Sequence, residues 1–100
     1  MKTYAIYYMN QSFWSDGILG NFDQIEPKNL KKTHIYLKEL TTEYDKDHVF
    51  DMMNHSHRPT REQVLNLNLM HSSMSVGDIL VDKETNQVYV CATVGWKELK

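Results

Sequence analysis

The sequence predicts a small α+β domain, in which an antiparallel sheet of about four strands carries two helices on one face. Three observations lead to this fold class: strand patterns near both ends of the chain, two helix patterns between them, and a length of 100 residues, which suits one core. Apolar residues make up 41% of the chain and charged residues 24%, as in globular rather than disordered proteins. We therefore expect residues 1–100 to form a single domain.

Two strands are expected in the first part of the chain. Thr3 to Met9 is rich in β-branched and aromatic residues without a clean alternation, which is typical of a central strand. Residues 33–40, THIYLKEL, do alternate between apolar and polar side chains. Because successive side chains of a strand point to opposite faces, this pattern places Ile35 and Leu37 on one face and Leu40 on the other.

A long loop, at about residues 11–32, is expected between these two strands. Its sequence has no regular period, and loops of this length in compact domains are often functional. It carries aromatic residues that either pack over the core or form an exposed surface. Since aromatic side chains are enriched at protein interfaces, the candidate partner-binding residues are Phe13, Trp14 and Phe22.

Two helices are expected in the middle of the chain. Asp45 is a suitable N-cap for an apolar stripe at helical spacing, and that helix should end between Asn54 and His57. Thr60 and Gln63 then form the pattern of a capping box, which predicts a short helix from Arg61 to about residue 67.

The last third of the chain is expected to be β-structure. Residues 77–82, GDILVD, predict a third strand, residues 83–87 a turn, and residues 88–94, VYVCATV, a fourth strand. The final GWKELK predicts a short strand or a tail. The resulting order, β-β-α-α-β-β, favours an antiparallel sheet.

The segment SMSVGD, residues 73–78, precedes the third strand and raises the question of a phosphate loop or a catalytic serine. A phosphate loop requires a second glycine and a lysine, and a nucleophile elbow requires glycines on both sides of the serine. The segment has neither pattern. We interpret it as a structural turn in which Gly77 adopts positive φ, Asp78 accepts from nearby amides, and the hydroxyls of Ser73 and Ser75 bond preceding amides. No catalytic residue is assigned.

The remaining composition gives no indication of a metal or cofactor. The histidines at 48, 55, 57 and 71 lack the spacing of three or four zinc ligands, so we expect no metal site and no cofactor. The single cysteine, Cys91, lies within an apolar strand pattern and is expected to be a buried thiol in a reducing compartment. With no stretch long enough to span a bilayer, the chain is expected to be cytoplasmic and without a membrane partner.

The run HSSMSVGDILV, residues 71–81, followed by VYVCATVGWKEL, residues 88–99, resembles the YodL-like family and related short hypothetical proteins of bacterial phages and conjugative elements. The shared pattern is a serine-rich Val-Gly/Ser-Asp turn, an apolar strand, a tyrosine-bearing strand and a glycine followed by an aromatic residue. The matching residues are Ser73, Ser75, Val76, Asp78, Tyr89 and Gly95, and Trp96 stands where phenylalanine is common. The resemblance extends over residues 33–99. It implies an accessory protein of a mobile genetic element and assigns no catalytic residue.

Three functions follow as hypotheses. The favoured one is a non-enzymatic accessory protein of a phage, plasmid or integrated element that binds a host protein, for example in counter-defence. A net charge of −2 makes nucleic-acid binding less favoured. That alternative would use a local basic patch of Lys28, Lys31, Lys32, Arg58 and Arg61. The third hypothesis is an enzyme that uses the histidines together with Asp78.

Overall fold

A five-stranded antiparallel sheet forms the centre of the computed structural model, which describes residues 1–14, 20 and 25–99. The predicted α+β class and the antiparallel sheet are confirmed. The spatial order of the strands is β2-β1-β3-β4-β5, so β1 and β3 are central. The strands are β1 (Lys2–Met9), β2 (His34–Thr42), β3 (Ile79–Asp82), β4 (Val88–Cys91) and β5 (Trp96–Leu99).

Three short α-helices accompany the sheet in the described part of the chain: α1 (Leu30–Thr33), α2 (Lys46–Met53) and α3 (Arg61–Asn66). Asp45 caps α2 by accepting from the His48 amide, and Thr60 and Gln63 form the expected capping box of α3. None of the helices in the described ranges is long and apolar enough to cross a membrane.

The expectation of a loop throughout residues 11–32 is wrong for its last part. A 3₁₀ turn, Pro27–Asn29, leads directly into α1. Proline favours the start of such a turn because its φ is already fixed near the helical value. The following Leu30 is buried, and this packing stabilises a helix that is too short to be stable alone.

One face of the sheet, which we call the helical face, is covered by α2 and α3. Tyr4, Ile6 and Tyr8 of β1 point to this face. Val49 and Met53 of α2 pack against them, and both are fully buried. The cluster is completed by Leu69, Met74 and Leu80, with Val64 and Leu67 at its margin. The two predicted helices thus share one face of the sheet.

The opposite face of the sheet carries a second, smaller cluster. Ile79, Val88 and Val90 point to this face, and Ile25 and Leu30 cover them. The short helix α1 therefore lies on the other side of the sheet from α2 and α3. Burial on both faces explains why β1 and β3 lack a simple alternation of apolar and polar residues.

A β-bulge in β2 changes the pattern that the sequence predicted. Ile6 pairs with Lys38 and Tyr7 pairs with Tyr36, so Leu37 is an extra residue opposite β1. Ile35, Leu37 and Leu40 all pack against the cluster on the helical face. The expectation that Leu40 faces away from Ile35 is wrong, because one additional residue reverses the side on which all later side chains emerge.

Trp96 connects the edge strand β5 to α2. Its indole Nε1 donates to Oδ1 of Asp47 at 3.1 Å, and its ring meets that of Phe50 edge to face with 6.4 Å between the centroids. For the final segment GWKELK the sequence predicted a short strand or a tail. The structure forms the strand β5 there, and Trp96 holds it against the helical face.

We expect Ile6→Ala to lower the free energy of unfolding by about 2–5 kcal/mol, because Ile6 is fully buried between α2 and the central strands. Urea denaturation monitored by tryptophan fluorescence measures the change. Val94→Ala is the matched control, since Val94 is 90% exposed and its truncation should change stability by less than about 0.5 kcal/mol. Equal effects of the two substitutions would contradict this core assignment.

Candidate functional site

The serine-glycine-aspartate corner, residues 73–78, joins three strand ends. The Gly77 amide donates to the Cys91 carbonyl at 2.8 Å, and the Cys91 amide donates to the Asp78 carbonyl at 2.8 Å. Gly77 has a φ of 98°, a conformation that favours glycine. The corner therefore extends the pairing of β3 with β4 beyond the end of β3 and turns the chain toward the end of β1.

The Asp78 side chain is completely buried and accepts three hydrogen bonds. Its Oδ1 accepts from the Met9 amide at 2.9 Å. Its Oδ2 accepts from the Ser75 amide at 2.8 Å and lies 2.7 Å from Nε2 of His71. These three donors belong to the end of β1, to the corner and to the segment after α3. One carboxylate thus ties together three parts of the chain that are distant in sequence.

His71 contacts two aromatic side chains. Its ring stacks on Tyr8 with 4.6 Å between the centroids, and the ring of Trp14 is tilted against it with 5.9 Å between the centroids. The Tyr8 hydroxyl donates to the carbonyl of Ser72 at 2.9 Å. Only 8% of the His71 side chain is exposed, and its Nδ1 has no hydrogen-bond partner among the described residues. The Trp14 Nε1 is likewise buried without a partner there.

Burial dominates the electrostatics of this cluster. It raises the pKa of Asp78, because a carboxylate loses its hydration, and the hydrogen bond from His71 opposes that shift. Burial also raises the pKa of the Tyr8 hydroxyl, with a smaller contribution from the charge of Asp78. The Cys91 thiol has its pKa raised to about 12 by burial and by Asp78, so it remains protonated and unreactive at neutral pH.

A second buried histidine supports the corner from β2. His34 Nε2 lies 2.7 Å from the Gly77 carbonyl, and its Nδ1 lies 2.7 Å from the Thr33 hydroxyl. A carbonyl only accepts, so the proton of the neutral ring is on Nε2 and the Thr33 hydroxyl donates to Nδ1. Burial lowers the pKa of His34 to about 4, which keeps the ring neutral in this position.

The arrangement lacks the geometry of a serine nucleophile within the described ranges. The Ser75 hydroxyl donates to the Ser73 carbonyl at 3.1 Å, whereas the sequence predicted that the hydroxyls would bond preceding amides. His71 uses Nε2 for Asp78, and no described hydroxyl or thiol bonds its other nitrogen. An acid–histidine pair activates a nucleophile only when that nucleophile is within hydrogen-bond reach. Apart from its contact with His71, the Asp78 carboxylate accepts from the backbone amides of Met9 and Ser75 instead.

The candidate partner-binding residues lie where β1 ends. The amides of Ser12 and Phe13 both lie within hydrogen-bond distance of the Asn10 Oδ1, which forms a turn directly after the strand. Phe13 and Trp14 are half-buried, so they are neither core residues nor freely exposed. Phe22, the third candidate, lies outside the described residues.

The five basic residues of the alternative hypothesis are divided between the two sides of the sheet. Lys28, Lys31 and Lys32 belong to the 3₁₀ turn and α1, which cover the opposite face. Arg58 and Arg61 lie at the start of α3, whose Val64 packs on the helical face. The five residues therefore do not form a single basic patch. Among the described residues, no group of three histidine, cysteine or acidic side chains is placed to hold a metal ion.

A cleft lies between the start of α3 and the segment before the corner, and it was not predicted from the sequence. Its volume is about 520 Å³. The lining residues come from the loop after α2, from α3 and from one distant position: His55, Ser56, Arg58, Pro59, Thr60, Arg61, Val64 and Ser72. Ser72 completes the wall only because the fold brings it beside α3, and no spacing in the sequence reveals that proximity.

Comparison with protein-family models gives no match, and comparisons with curated proteins and with solved structures give none either. The likeness to the YodL-like family therefore remains a prediction from the carboxy-terminal motif.

We expect Asp78→Ala to lower the free energy of unfolding by at least about 3 kcal/mol, because it leaves one buried and two partly buried donors without an acceptor. Ser75→Ala is the control and should cost about 1 kcal/mol, since it removes one hydroxyl bond and keeps the amide bond to Asp78. Chemical denaturation of both variants measures the difference. A stable Asp78→Ala protein would show that this residue is not there to hold the corner.

Stability should also depend on pH through His34. Its pKa is about 4 in the folded chain and near the ordinary 6.5 when unfolded, so the unfolded state binds the proton more readily. The contribution of neutral His34 is fully present above pH 6.5 and is lost as the pH falls toward 4. Between about pH 7 and pH 4.5 this loss amounts to about 2 kcal/mol.

Urea denaturation at these two pH values, compared between the natural chain and His34→Gln, isolates the effect. All other ionisable side chains are the same in the two proteins, so their contributions largely cancel in the comparison. The variant should lose about 2 kcal/mol less on acidification. Identical pH dependence of the two proteins would contradict a depressed pKa at His34.

Proposed function

We propose that the chain is a non-enzymatic accessory protein of a mobile genetic element and that it acts by binding a host protein. The observation that carries this proposal is the use of Asp78. The carboxylate that most resembles a catalytic group accepts from the Met9 and Ser75 amides and from His71, so two of its three bonds hold the backbone and the third holds a buried ring. The resemblance to the YodL-like proteins supports the genetic context, in which counter-defence is one role.

The surface around Phe13 and Trp14 is the proposed interface. Half-buried aromatic side chains combine a fixed position with accessible apolar area, which is the property of residues that dominate protein–protein affinity. Trp14 is positioned by its contact with His71, and Phe13 by the Asn10 turn. A partner that covers these rings would meet side chains that are already ordered, so less conformational entropy is lost on binding. Phe22, which lies outside the described residues, stays a candidate from the sequence alone.

An exposed aromatic residue elsewhere on the surface provides a comparison. Tyr44 is 57% exposed and lies beyond the end of β2 that pairs with Lys2, whereas Phe13 follows Met9 at the other end of β1. Carboxylates surround Tyr44 in a shallow groove lined by Glu43, Asp45, Asp47 and Asp51. The two aromatic surfaces therefore lie at opposite ends of β1, so substitutions separate their roles.

Phe13→Ala combined with Trp14→Ala should abolish capture of the host partner, while Tyr44→Ala should leave it unchanged. The measurement is affinity capture from host lysate with identification by mass spectrometry, followed by titration of the purified partner. We expect a loss of affinity of at least about 100-fold, as for the removal of two anchor residues.

Trp14 contacts His71, so the double variant must be shown to fold by its melting temperature. Phe13→Ala alone serves as the second variant, because Phe13 makes no described ring contact with the buried cluster and its truncation should be tolerated. Undiminished affinity in both folded variants would remove Phe13 and Trp14 as the interface. A selective loss in Tyr44→Ala would place the interface at the acidic groove instead.

A further inference from the structure

The cleft beside α3 has a charge that is opposite to that of the whole chain. Among its described lining residues are two guanidinium groups and one imidazole, from Arg58, Arg61 and His55, and no carboxylate. The chain itself has a net charge of −2. A concave surface with one sign of charge concentrates the electrostatic field, so this cleft attracts anions although the protein as a whole is mildly acidic.

Both arginine side chains are available to a ligand. Neither Arg58 nor Arg61 has an ion pair or a hydrogen bond with any described residue. They lie three positions apart, on either side of the Thr60 cap of α3. Guanidinium groups bind phosphate through two parallel hydrogen bonds, and two such groups at one cleft can hold one phosphate from two sides.

The walls of the cleft are held by bonds to other elements. On one side, the Tyr8 hydroxyl donates to the Ser72 carbonyl. On the other side, the Lys38 ammonium donates to the His57 carbonyl, and Pro59 is buried. The capping box of Thr60 and Gln63 fixes the start of α3. Because these bonds are made within the protein itself, little ordering of the backbone is needed for binding.

We propose that this cleft binds a small phosphorylated molecule, with its phosphate group between Arg58 and Arg61 and its organic part against Pro59 and Val64. The volume of about 520 Å³ is in the range of sites for small molecules. A nucleic acid is the less suitable ligand, because the other basic cluster, Lys28, Lys31 and Lys32, lies on the opposite face of the sheet. An extended phosphate backbone at the cleft would therefore meet few further cations. This proposal is independent of the protein-binding function.

Binding can be tested by NMR titration of the ¹⁵N-labelled chain with AMP, adenosine, inorganic phosphate and a single-stranded DNA 12-mer. We expect AMP and phosphate to bind saturably, with shifts centred on residues 58–64 and 72, and adenosine to bind at least about tenfold more weakly than AMP. The comparison of AMP with inorganic phosphate distinguishes a site for an organic phosphate from a site for the free ion.

Arg58→Gln combined with Arg61→Gln should weaken AMP binding at least about tenfold. The matched control is Lys31→Gln combined with Lys32→Gln, which removes the same charge from the opposite face and should leave AMP binding unchanged. All four side chains are exposed, so both variants should keep the melting temperature of the natural chain.

Three results would overturn the proposal. The first is the absence of shifts at residues 58–64 and 72 with AMP at concentrations up to about 10 mM. The second is equal weakening in the arginine and lysine variants, which would indicate nonspecific attraction. The third is binding of the DNA 12-mer that is much tighter than that of AMP and falls steeply with salt, which would assign the cleft to nucleic acid.

Discussion

The buried Asp78 carboxylate is the constraint on which the rest of the structure depends. A carboxylate in a protein interior is unfavourable unless hydrogen bonds replace its lost hydration. Here the replacement comes from the Met9 amide, the Ser75 amide and His71, which lie on separate segments. Satisfying one side chain therefore requires the end of β1, the corner and the segment after α3 to meet. The requirement makes the polar centre a source of specificity for the fold.

Two histidines extend this constraint in different ways. His71 is bound to Asp78 and is stacked on Tyr8, whose hydroxyl reaches the Ser72 carbonyl. His34 reaches the carbonyl of Gly77 from the first residue of β2. His71 thus holds the corner through the Asp78 side chain, and His34 holds it through the Gly77 backbone. Because Met9 and His34 are themselves paired across β1 and β2, the polar bonds and the sheet pairing support the same geometry.

The sequence predicted the local features of this chain and missed the contacts between distant segments. The caps at Asp45 and Thr60 are visible as short patterns, and the fold class follows from the order of strands and helices. The prediction for the face of Leu40 is wrong, because the bulge at Leu37 cannot be recognised from the alternation of apolar and polar residues. The pairing of His71 with Asp78 and the place of Ser72 in the cleft depend on the meeting of separate segments. No one-dimensional pattern contains that information.

The same bonds that close the interior also shape the outer surface. Ser72 links the interior to the surface. Its carbonyl accepts from the hydroxyl of the buried Tyr8, and the residue also lines the cationic cleft. Lys38 of β2 donates to the His57 carbonyl and so holds the loop that carries Arg58. A rigid interior can therefore present charged side chains at fixed positions. For a chain of 100 residues, in which one core must serve both purposes, this division is the one that the proposed binding at the surface requires.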